Sequence, residues 1–404
     1  MKIIEVTDKL TRRQFLQVPK ELYRNDPHWV CPLDNTIEGI FDPARNTAFM
    51  RGEAMRWILT DQKGRLTGRI AAFIDRARAK EYPQPVGGIG FFECIDDQEA
   101  AGMLFDVSRE WLVTRGMKAM DGPINFGENN NHWGLLVKGF MQQGFGMPYN
   151  FPYYQKLFEN YGFRNYFEQY SYHRDLTVVL SFPERFEKIV EWVSRKPGYD
   201  YRHFSYREAE KYVNDMISIY NKTWSSYKDD YVPLEQAEVY KVLEEAKAVV
   251  DEELIWFVYY KDEAVAFYVL FPDLNQILKH LDGRMHLINM LKFLYLKRKH
   301  TMTRIRAFLA GVLPQYQNIG LETVIFRKLF EVFRRKKYYR ELELSWVGDY
   351  NPRMRSIYEA IGAQHVKTHI TYRYMFDKQA PFKRYIDEVG YMISKPGTGK
   401  ERKV

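Results

Sequence analysis

The strongest constraint on this chain is that much of it is written twice. The stretch PYYQKLFENYGF at 152–163 recurs as PRMRSIYEAIGA at 352–363, an offset of 200 residues. Pro152/Pro352, Glu159/Glu359 and Gly162/Gly362 are identical, and Leu157/Ile357, Phe158/Tyr358 and Tyr161/Ile361 are similar. Each copy predicts a short helix closed by a glycine, where the chain needs a left-handed residue. Each leads into a tyrosine-rich strand carrying Tyr172 or Tyr372. Upstream, WILTDQKGRLTGRIAAFID from Trp57 and WFVYYKDEAVAFYVLFPD from Trp256 both read as hairpins around a polar turn. In each half a further strand and a long amphipathic helix follow, so each runs hairpin, strand, helix, strand, helix, strand. The predicted fold class is α/β (mixed α+β): two tandem units, each a mixed, mostly antiparallel sheet flanked by helices. The predicted boundaries are 1–178 and 179–390, with 391–404 a disordered tail.

Length and composition agree with two folded units. The chain has 404 residues, 46% hydrophobic and 28% charged. A net charge of +8 suits an anionic partner such as a phosphorylated cofactor, RNA or a membrane surface. Cys31 and Cys94 are the two cysteines and form no C-x-x-C pattern, which argues against a metal cluster or a disulfide framework. His365 and His369 are spaced four apart but fall on a predicted strand without a third ligand, so no metal is expected. The N-terminus lacks the apolar run of a signal peptide, and the longest apolar stretches are too short to span a bilayer. The expectation is a cytoplasmic chain. The segment 286–304 is basic and amphipathic; a cover helix is one reading and contact with an anionic membrane another.

The candidate chemistry begins at QNIGLE, 317–322, between a strand and an amphipathic helix. These residues resemble the GCN5-related N-acetyltransferase (GNAT) superfamily, duplicated in tandem. In that family a Gln or Arg, two residues, a Gly, one residue and a Gly or Ala cradle the coenzyme A diphosphate. Gln317 and Gly320 match; Asn318 stands where Gly is common, and Glu322 takes the closing position. A second motif, Asn, six residues, Tyr, then a helix ending at Gly, matches Asn351, Tyr358 and Gly362. The resemblance covers about 256–374 and is similar to that of bacterial acyltransferases with two such units. It implies an acyl-coenzyme A-dependent N-acyltransferase, with acetyl-coenzyme A or another acyl-coenzyme A as cofactor. An amine would attack the thioester directly, without a covalent intermediate. By the same resemblance Val312, Leu313, Gln317, Asn318, Ile319, Gly320, Leu321 and Asn351 would bind the cofactor. Tyr358 would be the general acid. On reference pKa values, proton transfer from a phenol to a thiolate is uphill by about 2 kcal/mol.

Glu322 has two readings. At 3.6 residues per turn it lies within roughly 50–65° of the helix's apolar centre. It is either a first-turn acid favoured by the helix dipole or an active-site carboxylate that binds or deprotonates an amine. A carboxylate about 5 Å from a phosphate would cost roughly 3 kcal/mol at an effective dielectric of 20, so it should face away from the diphosphate.

The first half has Asp96, Asp97 and Glu99 where the second has its Q-x-x-G turn, and is expected to bind no cofactor. Its inserted loop carries Asn125, Glu128, Asn130, His132 and Trp133, which read either as acceptor-binding residues or as a solvated Asn-rich turn. The acceptor is expected to be a small-molecule or lipid-like amine. DNA is not expected. Peptidoglycan-bridge enzymes also use tandem units of this fold, so a tRNA-dependent aminoacyl transferase is the alternative enzyme, and a non-catalytic module with a decayed site the alternative outside catalysis.

Overall fold

The computed structural model describes residues 1–79, 84–127, 131–178, 182–224 and 233–389; the tail expected at 391–404 lies outside them. The strands are β1 (Lys2–Glu5), β2 (Gly52–Thr60), β3 (Leu66–Asp75), β4 (Val86–Cys94), β5 (Ala119–Gly122), β6 (Leu135–Lys138), β7 (Arg164–Asp175), β8 (Tyr199–His203), β9 (Ile255–Tyr260), β10 (Glu263–Pro272), β11 (Arg304–Val312), β12 (Glu341–Gly348) and β13 (Gln364–Met375). The helices are α1 (Lys9–Leu22), α2 (Asp34–Ile40), α3 (Arg76–Ala79), α4 (Gln98–Val113), α5 (Tyr154–Tyr161), α6 (Glu184–Ser194), α7 (Ala209–Trp224), α8 (Gln236–Ala246), α9 (Asn275–Leu278), α10 (Leu287–Arg298), α11 (Leu321–Arg335), α12 (Pro352–Ala360) and α13 (Tyr385–Val389).

All the strands join one sheet, in the order β1-β2-β3-β4-β5-β13-β7-β12-β11-β10-β9-β8, with β6 beside β13. Among the described residues the parallel neighbours are β4 with β5 and β11 with β12; the other pairs are antiparallel. Each repeat therefore contributes the expected hairpin, strand, helix and strand. Its last strand, however, goes to the other repeat. β7 pairs with β12, β13 pairs with β5, and β7 and β13 pair with each other at the centre. The sheet does not divide at 178/179, because β7 precedes that point in the chain yet completes the second unit.

The exchange explains the spacing of the repeat. Tyr172 packs edge-on to Tyr358 of the second unit, with ring centroids 5.5 Å apart, and its hydroxyl donates to Glu359 Oε1 at 3.2 Å. Tyr372 lies 5.7 Å from Phe158 of the first unit, and its hydroxyl donates to Glu159 Oε1 at 2.9 Å. The identical glutamates thus serve the same purpose twice, each tying down a tyrosine from the opposite half.

Helices cover both faces. In the second unit α11 buries Leu321, Val324, Ile325, Leu329, Val332 and Phe333 against the sheet, the stripe predicted from its period. Phe326 of α11 meets Tyr268 of β10, while Tyr212 of α7 meets Phe257 of β9 on the other face. Under the sheet centre lies a buried ionic layer. Lys367 Nζ donates to Glu343 Oε2 at 2.8 Å, and Arg304 Nη2 to Asp273 Oδ2 at 2.5 Å. Burial pushes the Glu343 carboxyl up, but Lys367, Arg304 and Arg306 more than reverse this and hold it at about 2. The same cations clamp the first-half loop at 142–147, Arg304 and Lys367 through Gln142 O and Arg306 through Phe145 O. Among the described residues no helix is long and apolar enough to cross a membrane.

Candidate active site

The second unit opens where a tandem repeat lets it. Parallel pairing of β11 with β12 runs from Arg304↔Glu341 to Ala307↔Leu344 and stops. Past that point β11 continues to Val312, paired with β10 alone among the described residues, while β12 follows β7. The two strands splay, and among the described residues no strand pairs with the β11 edge between them. Leu313 N–H donates to Val265 O at 3.0 Å, into the hairpin. By the alternation of an antiparallel ladder, Val312 and Ala310 turn their peptide groups to the open edge.

This refines the expectation for the approach strand. Leu313 offers no amide to a ligand. Val312 offers its N–H, since its carbonyl accepts Gln317 Nε2 at 3.1 Å. Ala310, which sequence reasoning missed, is turned to the same edge. Gln317 thus folds back to fasten the turn onto the strand end. Asn318 is exposed in a left-handed conformation at φ 65°, and Ile319 is half-buried against the core. Gly320 is the N-cap of α11 at φ 88°, and among the described residues no side chain caps the helix. Thr323 N–H donates to Gly320 O at 3.1 Å, which among the described residues leaves the amides of Leu321 and Glu322 at the head of α11 for another acceptor. Gly320 is also required by packing, as a Cβ there would stand 2.7 Å from Ile189 Cγ2 of α6. Beside it is a surface depression of about 500 Å³ lined by Glu184, Arg185, Lys188, Ile189 and Trp192.

Glu322 is 3% exposed. Arg353, in the first turn of α12, donates to its Oε1 at 2.9 Å. Among the described residues, Glu322 Oε2 and the hydroxyls of Tyr268 and Tyr201 are buried without hydrogen-bond partners. Burial first, then Glu322 and Tyr358, push the Tyr268 hydroxyl far up; burial, Tyr199 and Glu322 do the same for Tyr201. Neither Arg353 nor these tyrosines carried a signal in the motif. Tyr358 is 9% exposed between Tyr172 and Phe326. Burial, then Tyr172, raises its hydroxyl above the phenol range. The uphill transfer of about 2 kcal/mol reckoned from reference values is therefore a lower bound. Asn351 is the N-cap of α12, accepting Met354 N–H at 3.2 Å, so its side chain is engaged at the cap.

The first unit has the same framework with each opening closed. β4 leaves β5 after Gly88↔Asp121, and Ile95 N–H donates to Thr67 O, which turns the Cys94 peptide to the equivalent edge. There Cys94 N–H donates to Tyr154 Oη at 2.9 Å, and Tyr153 Oη donates to Cys94 O at 2.7 Å. By the 200-residue offset these tyrosines correspond to Arg353 and Met354. The start of α4 is capped by Asp97, whose carboxylate accepts Ala100 N–H. Phe158 stands where the second unit has Tyr358.

Of the inserted-loop residues, Glu128 and Asn130 lie outside the described residues. Asn125 is buried, with Oδ1 accepting Phe126 N–H; Trp133 Nε1 donates to Thr371 Oγ1 at 3.0 Å. His132 lines a cavity of about 150 Å³ with Arg69, Glu93, Val30, Leu33 and Leu278 among its walls. Burial, then Arg69, lowers its imidazole to about 4, so it is neutral at pH 7. Among the described residues no group of His, Cys, Asp or Glu could hold a metal ion.

Three comparisons bear on these features. No protein-family model matches the chain. It is 25% identical over 367 residues to Protein YghO of Escherichia coli K12, spanning 89% of this chain and 92% of that protein. It is 26% identical over 381 residues to the bacterial ceramide synthase of Caulobacter vibrioides, spanning 92% and 97%. A tandem GNAT protein from the clavulanic acid biosynthesis pathway superposes with a TM-score of 0.55 at 10% identity, over 94% of this chain and 99% of its own. With its duplicated units, splayed parallel strands and helices on both faces, this chain has the fold of the tandem GNAT acetyltransferases.

Proposed function

We propose that the chain is an acyl-coenzyme A-dependent N-acyltransferase with its cofactor site in the second unit and a lipid-like amine as acceptor. The observation that carries this is the asymmetry between the units. Tyr153, Tyr154 and Asp97 close the edge and helix start in the first, whereas among the described residues the Val312 N–H and the start of α11 beside Gly320 carry no such side chain in the second. Bound acyl-coenzyme A would supply the acyl group as an activated thioester.

The residues present fit that group. The uncapped start of α11 provides amides and the positive end of the helix dipole for a diphosphate. Hydrogen bonds to a charged acceptor contribute roughly 1.5–3 kcal/mol each. The open edge at Ala310 and Val312 can take the extended arm as a strand takes a neighbour. Arg353 neutralises Glu322, which removes the repulsion expected of a bare carboxylate near phosphate. Tyr358 stays protonated through the neutral range and can deliver its proton to the departing thiolate. A ceramide is a fatty-acyl amide of a long-chain amino alcohol. The name of the Caulobacter relative therefore supports amide formation on a lipid-like amine.

Isothermal titration with coenzyme A tests the reading. Binding is expected for the wild type, and its absence at millimolar cofactor would sink the proposal. Tyr358→Phe should retain cofactor affinity while turnover falls about a hundredfold or more. A loss of affinity instead would make Tyr358 a binding residue.

A further inference from the structure

The connection from β10 to β11 carries a helix that is apolar on two opposite sides. The inner side of α10 packs Phe293 and Leu296 on a cluster with Val30, Leu33 and Leu278, and beside them Asn289 Nδ2 donates to Leu281 O and Arg284 O. Its outer side presents Leu287, Ile288, Met290, Leu291, Leu294 and Tyr295, which are 47–72% exposed. At 3.6 residues per turn these six span an arc of about 160°, centred opposite the packed side. Exposed apolar side chains scattered singly are ordinary; six on one helix face are a contiguous patch. The margins of the arc are basic, Lys292 on one side and Lys297 on the other, with Arg298 at the end. Across 279–300 there are six Lys or Arg and one acid, Asp282.

We propose that the outer face of α10 docks the enzyme on an anionic phospholipid surface, with the helix lying in the interface plane. Apolar side chains flanked by lysines match that environment: the former enter the acyl boundary while the latter meet the head groups. A helix of 12 residues is about 18 Å long, too short to span a bilayer and long enough to lie on one. Charge also selects between occupants. In a two-fold pair of chains the same patch meets itself, so Lys292, Lys297 and Arg298 would approach their own copies. An anionic bilayer complements them.

The position of the patch gives docking a use. Val30, Leu33 and Leu278 belong both to the cluster under α10 and to the wall of the cavity that holds His132. The docked face therefore stands beside an internal space with an apolar wall, where a lipid-like amine could enter from the bilayer. That last step rests on the proposed function; the docking does not.

The test is sedimentation of the full-length protein with vesicles of phosphatidylglycerol and phosphatidylcholine in equal parts. The wild type should sediment with them, less so in high salt and less on pure phosphatidylcholine. Leu291→Glu/Leu294→Glu should partition about tenfold or more weakly with an unchanged Tm, since both side chains are already in water. Lys292→Glu/Lys297→Glu should weaken binding to the mixed vesicles and leave binding to pure phosphatidylcholine unchanged. The proposal is overturned if the wild type stays in the supernatant at low salt, or if the leucine variant sediments as the wild type does. It is equally overturned if the wild type is a dimer that the leucine variant splits. Coenzyme A titration on the same samples separates the two readings. Cofactor binding without vesicle binding removes the docking alone, and vesicle binding without cofactor binding removes the enzymatic reading alone.

Discussion

Glu322 looks out of place two residues beyond a phosphate-type glycine, and Arg353 is what makes it tolerable. The pair is 2.9 Å apart, with the Glu322 side chain 4% exposed and that of Arg353 30%. Removing one partner of such a pair leaves a buried charge unmatched. Arg353→Leu should therefore lower stability by about 2 kcal/mol, less than for a fully buried pair because water reaches Arg353. It should also weaken coenzyme A binding about tenfold or more, as an unpaired carboxylate then stands in the first turn beside the proposed diphosphate site. Adding Glu322→Gln to that variant should restore most of the affinity. Titration of the single and double variants checks this; if affinity stays low in the double variant, Arg353 contacts the cofactor itself. Gly320→Ala tests the turn by a different route. At φ 88° a side chain is strained by about 1–2 kcal/mol, and the crowding by Ile189 adds to it. Its Tm should fall with or without cofactor.

Among the elements, α4 and α11 are repeats of one helix with opposite starts. Asp97 caps α4, so Asp97→Ala should lower stability by about 1 kcal/mol, with no dependence on coenzyme A. Among the described residues the start of α11 has no such group. Cofactor at a hundred times its Kd should raise the wild-type stability by about 2.7 kcal/mol, read as a rise in Tm. The sequence carried this contrast in Asp96, Asp97 and Glu99 against Gln317 and Gly320, because a cap and a glycine turn are local chemistry. It carried the repeat in Glu159/Glu359 and Tyr172/Tyr372 for the same reason. Other parts were out of reach. The closure of the β4 edge depends on which strand Tyr153 and Tyr154 meet, and no local pattern states that; the replacement of Tyr153 by Arg353 at the offset was the available hint. Asn351 followed by Pro352 is a helix-start signal that the family resemblance overshadowed. The strand exchange left no mark, since β7 and β13 are copies with the same alternation and either fits either sheet by pattern alone.

Across the whole molecule, the exchange makes the halves depend on each other. His369, on β13, is 1% exposed, and burial lowers its imidazole to about 4. Its folded pKa lies below its unfolded value of about 6.5, so folding favours the neutral ring. The stability this confers is full above pH 6.5 and is lost as pH falls from there toward 4, about 3 kcal/mol in all. The Tm of the wild type should drop through that window, and His369→Gln should show a shallower drop; an unchanged slope would place the acid sensitivity elsewhere. The sharper consequence concerns the cut at 178/179. A fragment of 1–178 keeps β7 but loses β13, the strand that pairs with β5 and brings Arg373 onto Asp121 with two bonds of 2.6 and 2.8 Å. If β7 moved into that place, the offset would put His173 where Arg373 stands, and a buried aspartate would lose its guanidinium. The fragment 179–404 meets the converse problem, because β12 would lose β7 and with it Tyr172 under Tyr358. Neither fragment alone should show a cooperative unfolding transition by calorimetry. Expressed together they should form a complex that melts near the full-length chain, since the exchanged strands need no covalent link at 178/179. A fragment of 1–178 that melts cooperatively at the Tm of the whole protein would show that β7 can take the place of β13, and that the exchange is a choice of the full chain rather than a requirement of its halves.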